Sequence, residues 1–263
     1  MVARLCNEAH FEDSTLPLAE RTVKGNATDA AVLVFAQSLS VPSIGVNTDA
    51  LLASYVKLFE IPFNPRNKWM LTVVRERGLD DKDPLMLVKG APDVLFPSCT
   101  TALHSDGTVI PLDTAVQARI NALQAEWSSQ GQRVLALCKR NLDGIKINPE
   151  TMSPNDMEEV MYSELRDLTL IGLIGIRDPP RHDVKHAISV IRRAGVRVFM
   201  VTGDFKLTAV AIARQASFRP PLSIFHSSTT NRSISSPKRR SKPSQRCRVQ
   251  WTKKPASTVS LKT

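Results

Sequence analysis

Phe63, Lys68 and Lys89 are residues whose types and placement suit ligand chemistry in this 263-residue chain. All three lie beside strand-like segments, and the two lysines stand where a long cationic side chain can reach a ligand. An adenine ring offers a π-face, a hydrogen-bonding edge and, in a nucleotide, a charged phosphate tail. A pocket for it therefore wants an aromatic or apolar wall, a polar group at the edge and cations toward the phosphates. Phe63 can form the wall and the lysines can supply the cations. The same residue types also suit an ordinary core phenylalanine and two solvated surface lysines, so the residues alone leave both readings open.

Thr202-Gly203-Asp204 sits at the carboxyl end of a second strand-like run. A tight turn there exposes backbone N–H groups and a hydroxyl suited to phosphate, although Asp204 would equally serve as a plain helix cap. His182 and His186 have helical i, i+4 spacing, which is compatible with a metal, but no acidic or thiol partner is placed to complete a site. They read as helical surface histidines. Cys6, Cys99, Cys138 and Cys247 are scattered without a CxxC pair and read as reduced bystanders.

The elements that must hold these groups come in two styles. Residues 20 to 140 carry short strands at Val56 to Pro62, Trp69 to Arg75, Pro84 to Lys89 and Arg133 to Arg140, which predicts an antiparallel α+β module. Asp106-Gly107 signals a hairpin between Ala102 to His104 and Thr108 to Ile110. Asp113 is placed to cap a helix with Val116, Ile120, Leu123 and Trp127 on one face. Residues 160 to 216 alternate instead: a run from Leu168 to Ile176, an amphipathic helix stopped at Ala194-Gly195, a run from Val196 to Val201, then another helix. That order predicts a βαβα unit with a parallel sheet. The acidic stretch Asn148 to Glu164 reads as the connection between the two modules.

Charge divides the chain again. Eleven of the 35 Lys and Arg residues fall between Ser217 and Thr263, with no acidic residue among them, leaving 24 basic residues beside all 25 acidic ones in the rest. The body is about neutral, and the Ser, Pro, Lys and Arg-rich tail is expected to be disordered. No run of about 18 apolar residues occurs, and residues 1 to 10 lack the n- and h-regions of a signal peptide, so a soluble cytosolic chain is expected. Neither a Walker A sequence, a GxGxxG turn nor a DxDx(T/V) phosphatase motif is present.

Six segments fall in one recognisable order: Lys24-Gly-Asn-Ala-Thr-Asp-Ala30, Glu60-Ile-Pro-Phe-Asn-Pro-Arg-Asn-Lys68, Val88-Lys-Gly-Ala-Pro-Asp93, Gly131-Gln-Arg-Val-Leu135, Asp178-Pro-Pro-Arg181 and Val201-Thr-Gly-Asp204. In these segments the chain resembles the cytoplasmic region of P-type ATPases, most closely the sodium/potassium and proton/potassium pump alpha subunits and their fungal relatives. The resemblance covers roughly residues 1 to 215. It implies an α+β nucleotide-binding domain, an antiparallel sheet with flanking helices, over residues 1–147. A connection at 148–164, part of an α/β haloacid-dehalogenase-like phosphorylation domain at 165–216 and the disordered basic tail at 217–263 complete the expected layout.

By this resemblance Phe63 stacks on adenine, and Lys68 and Lys89 lie beside the nucleotide with Gly90 keeping the backbone close. Arg133 meets the phosphates, a task suited to a guanidinium fork. Asp29 faces the adenine amino edge where the family more often has Glu, so its reach is one methylene shorter. Met70 stands where the sodium/potassium pumps carry Gln. Asp178 and Arg181 match a hinge segment touching ribose or phosphates, and Thr202, Gly203 and Asp204 match a phosphate-contacting turn.

The pump reaction of this family needs the aspartate of a DKTGT motif as nucleophile and a GDGxND motif for Mg²⁺. Neither occurs in the chain, whose start, Met1-Val-Ala-Arg-Leu-Cys-Asn7, resembles a helix that follows the first motif in the family. The expectation is ATP or ADP binding, with Mg²⁺ only as the nucleotide complex, no metal site, and neither phosphoenzyme formation nor transport by this chain alone. Membrane and ion-translocating helices are expected only in a full-length relative. The alternative expectation is an inert truncated gene product whose basic tail binds nucleic acid or acidic membrane.

Overall fold

The computed structural model describes residues 1–13, 16–39, 48–79, 81–145 and 147–218, together with short strands at 225–226 and 258–259. Apart from Ser217, Phe218 and those two strands, the tail expected at 217–263 and the partners expected of it lie outside the described residues.

The chain opens with helix α1 (Val2–Leu5), strands β1 (His10–Phe11) and β2 (Val23–Lys24), and helices α2 (Ala27–Ser38) and α3 (Thr48–Ala53). Strands β3 (Tyr55–Ile61), β4 (Trp69–Glu76) and β5 (Leu85–Gly90) follow, then α4 (Pro92–Leu95), β6 (Cys99–Leu103), β7 (Val109–Pro111) and α5 (Thr114–Ser129). Next come β8 (Gln132–Asn141), α6 (Pro154–Ser163), β9 (Leu168–Arg177), α7 (Val184–Arg193), β10 (Val201–Thr202) and α8 (Lys206–Gln215). The last two strands are β11 (Phe225–His226) and β12 (Thr258–Val259).

The main sheet runs β3-β4-β5-β8-β9-β6-β7, with β12 paired to β9. Its neighbours are antiparallel except β6 and β9, which are parallel, so the sheet is mixed rather than purely antiparallel. No hairpin joins β6 to β9. The chain between them passes through β7, α5, β8 and α6, a crossover long enough to bring β9 back in the same direction.

Side-chain alternation gives the sheet two apolar faces. Leu71, Val73, Met86, Val88, Ala136, Cys138, Leu168 and Leu170 line one face, which is covered by Leu95 of α4 and Met157 and Met161 of α6. Met70, Val74, Leu87, Leu137, Ile174 and Ile176 line the other, which packs on Val2 and Leu5 of α1 and on Ala31, Val32 and Ala36 of α2. Each fully buried Leu, Val or Met contributes on the order of 1.5–3 kcal/mol relative to exposure.

Two local signals act as the sequence predicts. The Asp113 carboxylate accepts from Val116 N at 2.8 Å and caps α5. Asp106 accepts from the backbone and hydroxyl of Thr108 at 2.9 and 2.6 Å, closing the β6–β7 hairpin with Gly107 at φ 87°. On α5, Trp127 is buried and Val116 and Ile120 pack on the core, while Leu123 is exposed.

The carboxyl-terminal part differs from the expected parallel unit. The run expected to begin a separate βαβα module is β9, which lies between β8 and β6 in the main sheet. It is apolar toward both faces, and that pattern fits a central strand between two helical layers as well as a buried strand of a parallel sheet. The stretch expected as a connection contains α6, whose cap is Ser153 and whose buried Met157 and Met161 sit one turn apart in the core. The expected boundary near residue 165 therefore falls inside a single hydrophobic core. The helix stop at Ala194-Gly195 holds, with Gly195 at φ 77°. Of the run Val196 to Val201, only Val201 joins a strand, pairing parallel with Phe225, and it is 80% exposed. A strand forms only where a neighbouring strand takes up its hydrogen bonds.

Candidate functional site

The sheet register brings five strand ends to one edge. Trp69, which opens β4, pairs with Gly90, which closes β5; Gln132, which opens β8, pairs with Arg177, which closes β9; β3 ends alongside at Ile61. Phe63, Lys68, Lys89, Arg133 and Asp178 therefore issue from the same end of the sheet. The amino-terminal turn of α2 reaches this end as well, through Thr28 and Asp29.

Asp29 and Lys89 form a buried ion pair, Nζ to Oδ1 2.6 Å, with each side chain 5% exposed. The other carboxylate oxygen of Asp29 accepts from Glu8 N at 3.0 Å. Asn26 caps α2 by accepting from Asp29 N at 2.9 Å, and Asn7 donates to the Asp29 carbonyl at 3.1 Å. A carboxylate in the first turn of a helix is also favoured by the helix dipole. Asp29 is thus the point where the first nine residues, α2 and β5 are tied together. Met70, beside Lys89 in the register, is fully buried.

Lys68 closes a tight turn. Its N–H donates to Asn64 O at 2.7 Å, its carbonyl accepts from Ala91 N at 2.9 Å, and its φ is 59°. Gly90 lies against this turn: a Cβ there would stand 2.6 Å from Lys68 O and 2.8 Å from Trp69 Cα. The position admits only glycine without a shift of backbone. Phe63 lies in the same loop and is 52% exposed, which rules out the ordinary core phenylalanine.

Arg133 sits at the start of β8. Its Nε and Nη2 donate to Asp204 Oδ1 at 3.0 and 2.7 Å, and its Nη1 donates to Thr28 Oγ1 at 3.2 Å. The second oxygen of Asp204 accepts from Thr202 Oγ1 at 2.8 Å, and Asp204 N donates back to that hydroxyl at 3.1 Å. Asp204 therefore closes a turn with Thr202 and is not the cap of α8, whose N-cap position is Phe205. An added Cβ at Gly203 would meet nothing within 4 Å. Asp178 and Arg181 lie exposed just past β9, and Arg181 pairs with Asp183 at 3.5 Å.

The structure thus joins Asp29 to Lys89, Arg133 to Asp204 and Thr28, and Thr202 to Asp204, and sets Lys68 and Gly90 in backbone contact. Phe63, Asp178 and Arg181 lie in the segments that follow β3 and β9 at the same end of the sheet. Reading the sequence missed Thr28, although it lies inside the Lys24 to Ala30 segment, and missed Asn26, whose residue type before a helical run is a capping signal.

The remaining chemistry-bearing groups stand apart. His182 and His186 are exposed, and no cluster of three metal-ligating side chains occurs among the described residues. Cys99 and Cys138 are buried with sulfurs 3.7 Å apart. Burial pushes the Cys6 thiol up to about 11. Cations, a hydroxyl and an exposed aromatic ring gathered at one edge are groups that bind a planar, phosphorylated ligand.

Residues 1–183 match the family model for the P-type ATPase cytoplasmic domain N, a span that includes β9 and the Asp178 to Arg181 segment. The chain belongs to the P-type ATPase family. It is 39% identical over 217 residues to the sodium/potassium-transporting ATPase subunit alpha-A of Artemia franciscana. It is 34% identical over 215 residues to the potassium-transporting ATPase alpha chain 2 of Oryctolagus cuniculus, and 35% identical over 215 residues to the sodium/potassium-transporting ATPase subunit alpha of Tetronarce californica. Each match covers 81% of this chain but only 21%, 19% and 20% of those ATPases, so the chain spans about a fifth of their length. No helix among the described residues is long and apolar enough to cross a membrane.

Proposed function

We propose that this P-type ATPase domain binds an adenine nucleotide, ATP or ADP, at the sheet edge where Arg133, Lys89, Lys68 and Phe63 converge. The observation that carries the proposal is the grouping of an exposed aromatic ring with cations held by the first turn of α2 and by the Thr202 to Asp204 turn.

In this reading Phe63 stacks on the base, and stacking of that kind is worth about 1–3 kcal/mol. The buried Asp29–Lys89 pair backs the base edge and fixes the first turn of α2 there, and Gly90 lets the backbone come close. Lys68 and Arg133 face the phosphates, while Asp178, Arg181, Thr202, Gly203 and Asp204 complete the ribose and phosphate side. Mg²⁺ enters only as the nucleotide complex. ATP hydrolysis and cation transport are proposed for the whole pump, of which this region is the cytoplasmic nucleotide grip working with membrane helices.

Titration calorimetry of ATP into the full chain tests the proposal. The expected result is saturable binding of roughly −4 to −5 kcal/mol, a near-millimolar affinity. Absence of any saturable binding by folded protein would refute it.

A further inference from the structure

We propose that Tyr162, on α6, is a positioning residue for the Asn64 to Lys68 turn and keeps that turn in the shape that presents Phe63 and Lys68 to a nucleotide. The proposal rests on the nucleotide reading above and deepens it.

The turn contains a conformation that a lysine does not adopt unaided. Lys68 has φ 59°, in the left-handed region where residues other than glycine are strained. Such a residue keeps its shape only where the surrounding structure imposes it. Part of that constraint is local: Asn64 Oδ1 accepts from Arg66 N at 2.8 Å, and Lys68 N donates to Asn64 O at 2.7 Å. These bonds close the turn on itself but do not tie it to a neighbouring element.

Tyr162 touches both residues that flank Lys68. Its hydroxyl accepts from Asn67 Nδ2 at 2.8 Å, and its ring meets that of Trp69 in a T-shaped pair, centroids 5.5 Å apart and planes at 67°. Tyr162 is itself firmly placed. The preceding Met161 is fully buried in the core, and Arg140 of β8 fastens the end of α6. Its Nη1 donates to Glu164 O at 2.6 Å and Arg166 O at 3.1 Å, and its Nη2 pairs with the Glu164 carboxylate at 2.8 Å. The hydroxyl bond thus carries the rigidity of helix and sheet to a turn 95 positions away. Without it Asn67 is released while the ring contact with Trp69 remains. The turn then samples other shapes, and apparent affinity falls with the fraction that stays competent.

The test is calorimetric titration of ATP into the full chain and into its Tyr162→Phe, Asn67→Ala and doubly substituted variants, each folded by circular dichroism. Tyr162→Phe keeps the ring and removes only the hydroxyl. It is expected to weaken ATP binding about two- to tenfold, the population shift that one hydrogen bond of ordinary net strength supports. Asn67→Ala should cost a similar factor and the double variant no more, because both substitutions remove the same bond. Amide NMR shifts should move at residues 64–68 and not along α6. A hydroxyl with a merely structural role would lower the urea midpoint and leave the ATP affinity of the folded chain unchanged. ATP binding to the wild type with equal affinity for Tyr162→Phe, or losses that add in the double variant, overturns the positioning role and leaves the nucleotide reading standing. No saturable ATP binding by the wild type overturns the nucleotide reading and the positioning role with it.

Discussion

The Nζ of Lys89 lies 2.6 Å from Oδ1 of Asp29 beneath the first turn of α2, and each side chain is only 5% exposed. A charge so far from solvent is tolerable only with its partner, because desolvating an unpaired ion costs several kcal/mol. The pair thus sets the position of α2 against β5, and the placement of Thr28 beside Arg133 depends on it.

Removing one member should be far worse than removing both. Lys89→Met or Asp29→Leu alone is expected to lower unfolding stability by about 3–5 kcal/mol, while the double substitution should recover most of that loss. Urea denaturation of the full chain, followed by circular dichroism, checks the cycle.

Gly90 marks the closest approach of β5 to the Lys68 turn. A Cβ placed 2.6 Å from Lys68 O must move backbone, so Gly90→Ala is expected to cost about 1–3 kcal/mol and to displace the loop that carries Phe63 and Lys68. Gly78, where an added Cβ meets nothing within 4 Å although its φ is 79°, provides the comparison: Gly78→Ala should show backbone strain alone, without a collision. Urea midpoints and the amide NMR shifts of residues 63–68 distinguish the two.

Much of this arrangement was legible in the sequence. The short apolar runs of β4, β5 and β8 located three central strands within a residue or two, and Asp113 marked the start of α5. The motifs around Lys89 and Arg133 pointed to one edge before any sheet order was known. The partner choices were not legible. Arg133 and Asp204 are 71 positions apart, and nothing local says that α8 docks on the start of β8. The placement of β9 failed for a related reason: a strand buried on both faces carries no period that reveals its neighbours. In α6 the acidic residues on the outer face hid the Met157 and Met161 stripe that enters the core.

The Cys6 thiol gives a pH-dependent signature. Burial raises it from 9.0 to about 11, so between those values the unfolded chain loses a proton that the folded chain keeps. Its contribution to stability is therefore present below pH 9.0 and declines as pH rises toward 11. Comparing urea midpoints at pH 8 and pH 10, the wild type should lose more stability than Cys6→Ala. Alkylation by iodoacetamide at pH 8, read by mass spectrometry, should spare Cys6 until denaturant is added.

Phe63 provides the most direct measurement of the central claim that this sheet edge grips an adenine nucleotide. Because the ring is half exposed, Phe63→Ala should alter folding stability by no more than about 0.5 kcal/mol, yet weaken ATP binding by about 1–3 kcal/mol. Titrating ATP and tripolyphosphate into wild-type and Phe63→Ala chains should therefore show a loss with ATP and none with tripolyphosphate, which has no base to stack. Equal ATP affinities for the two chains, or an equal loss with both ligands, would contradict the account.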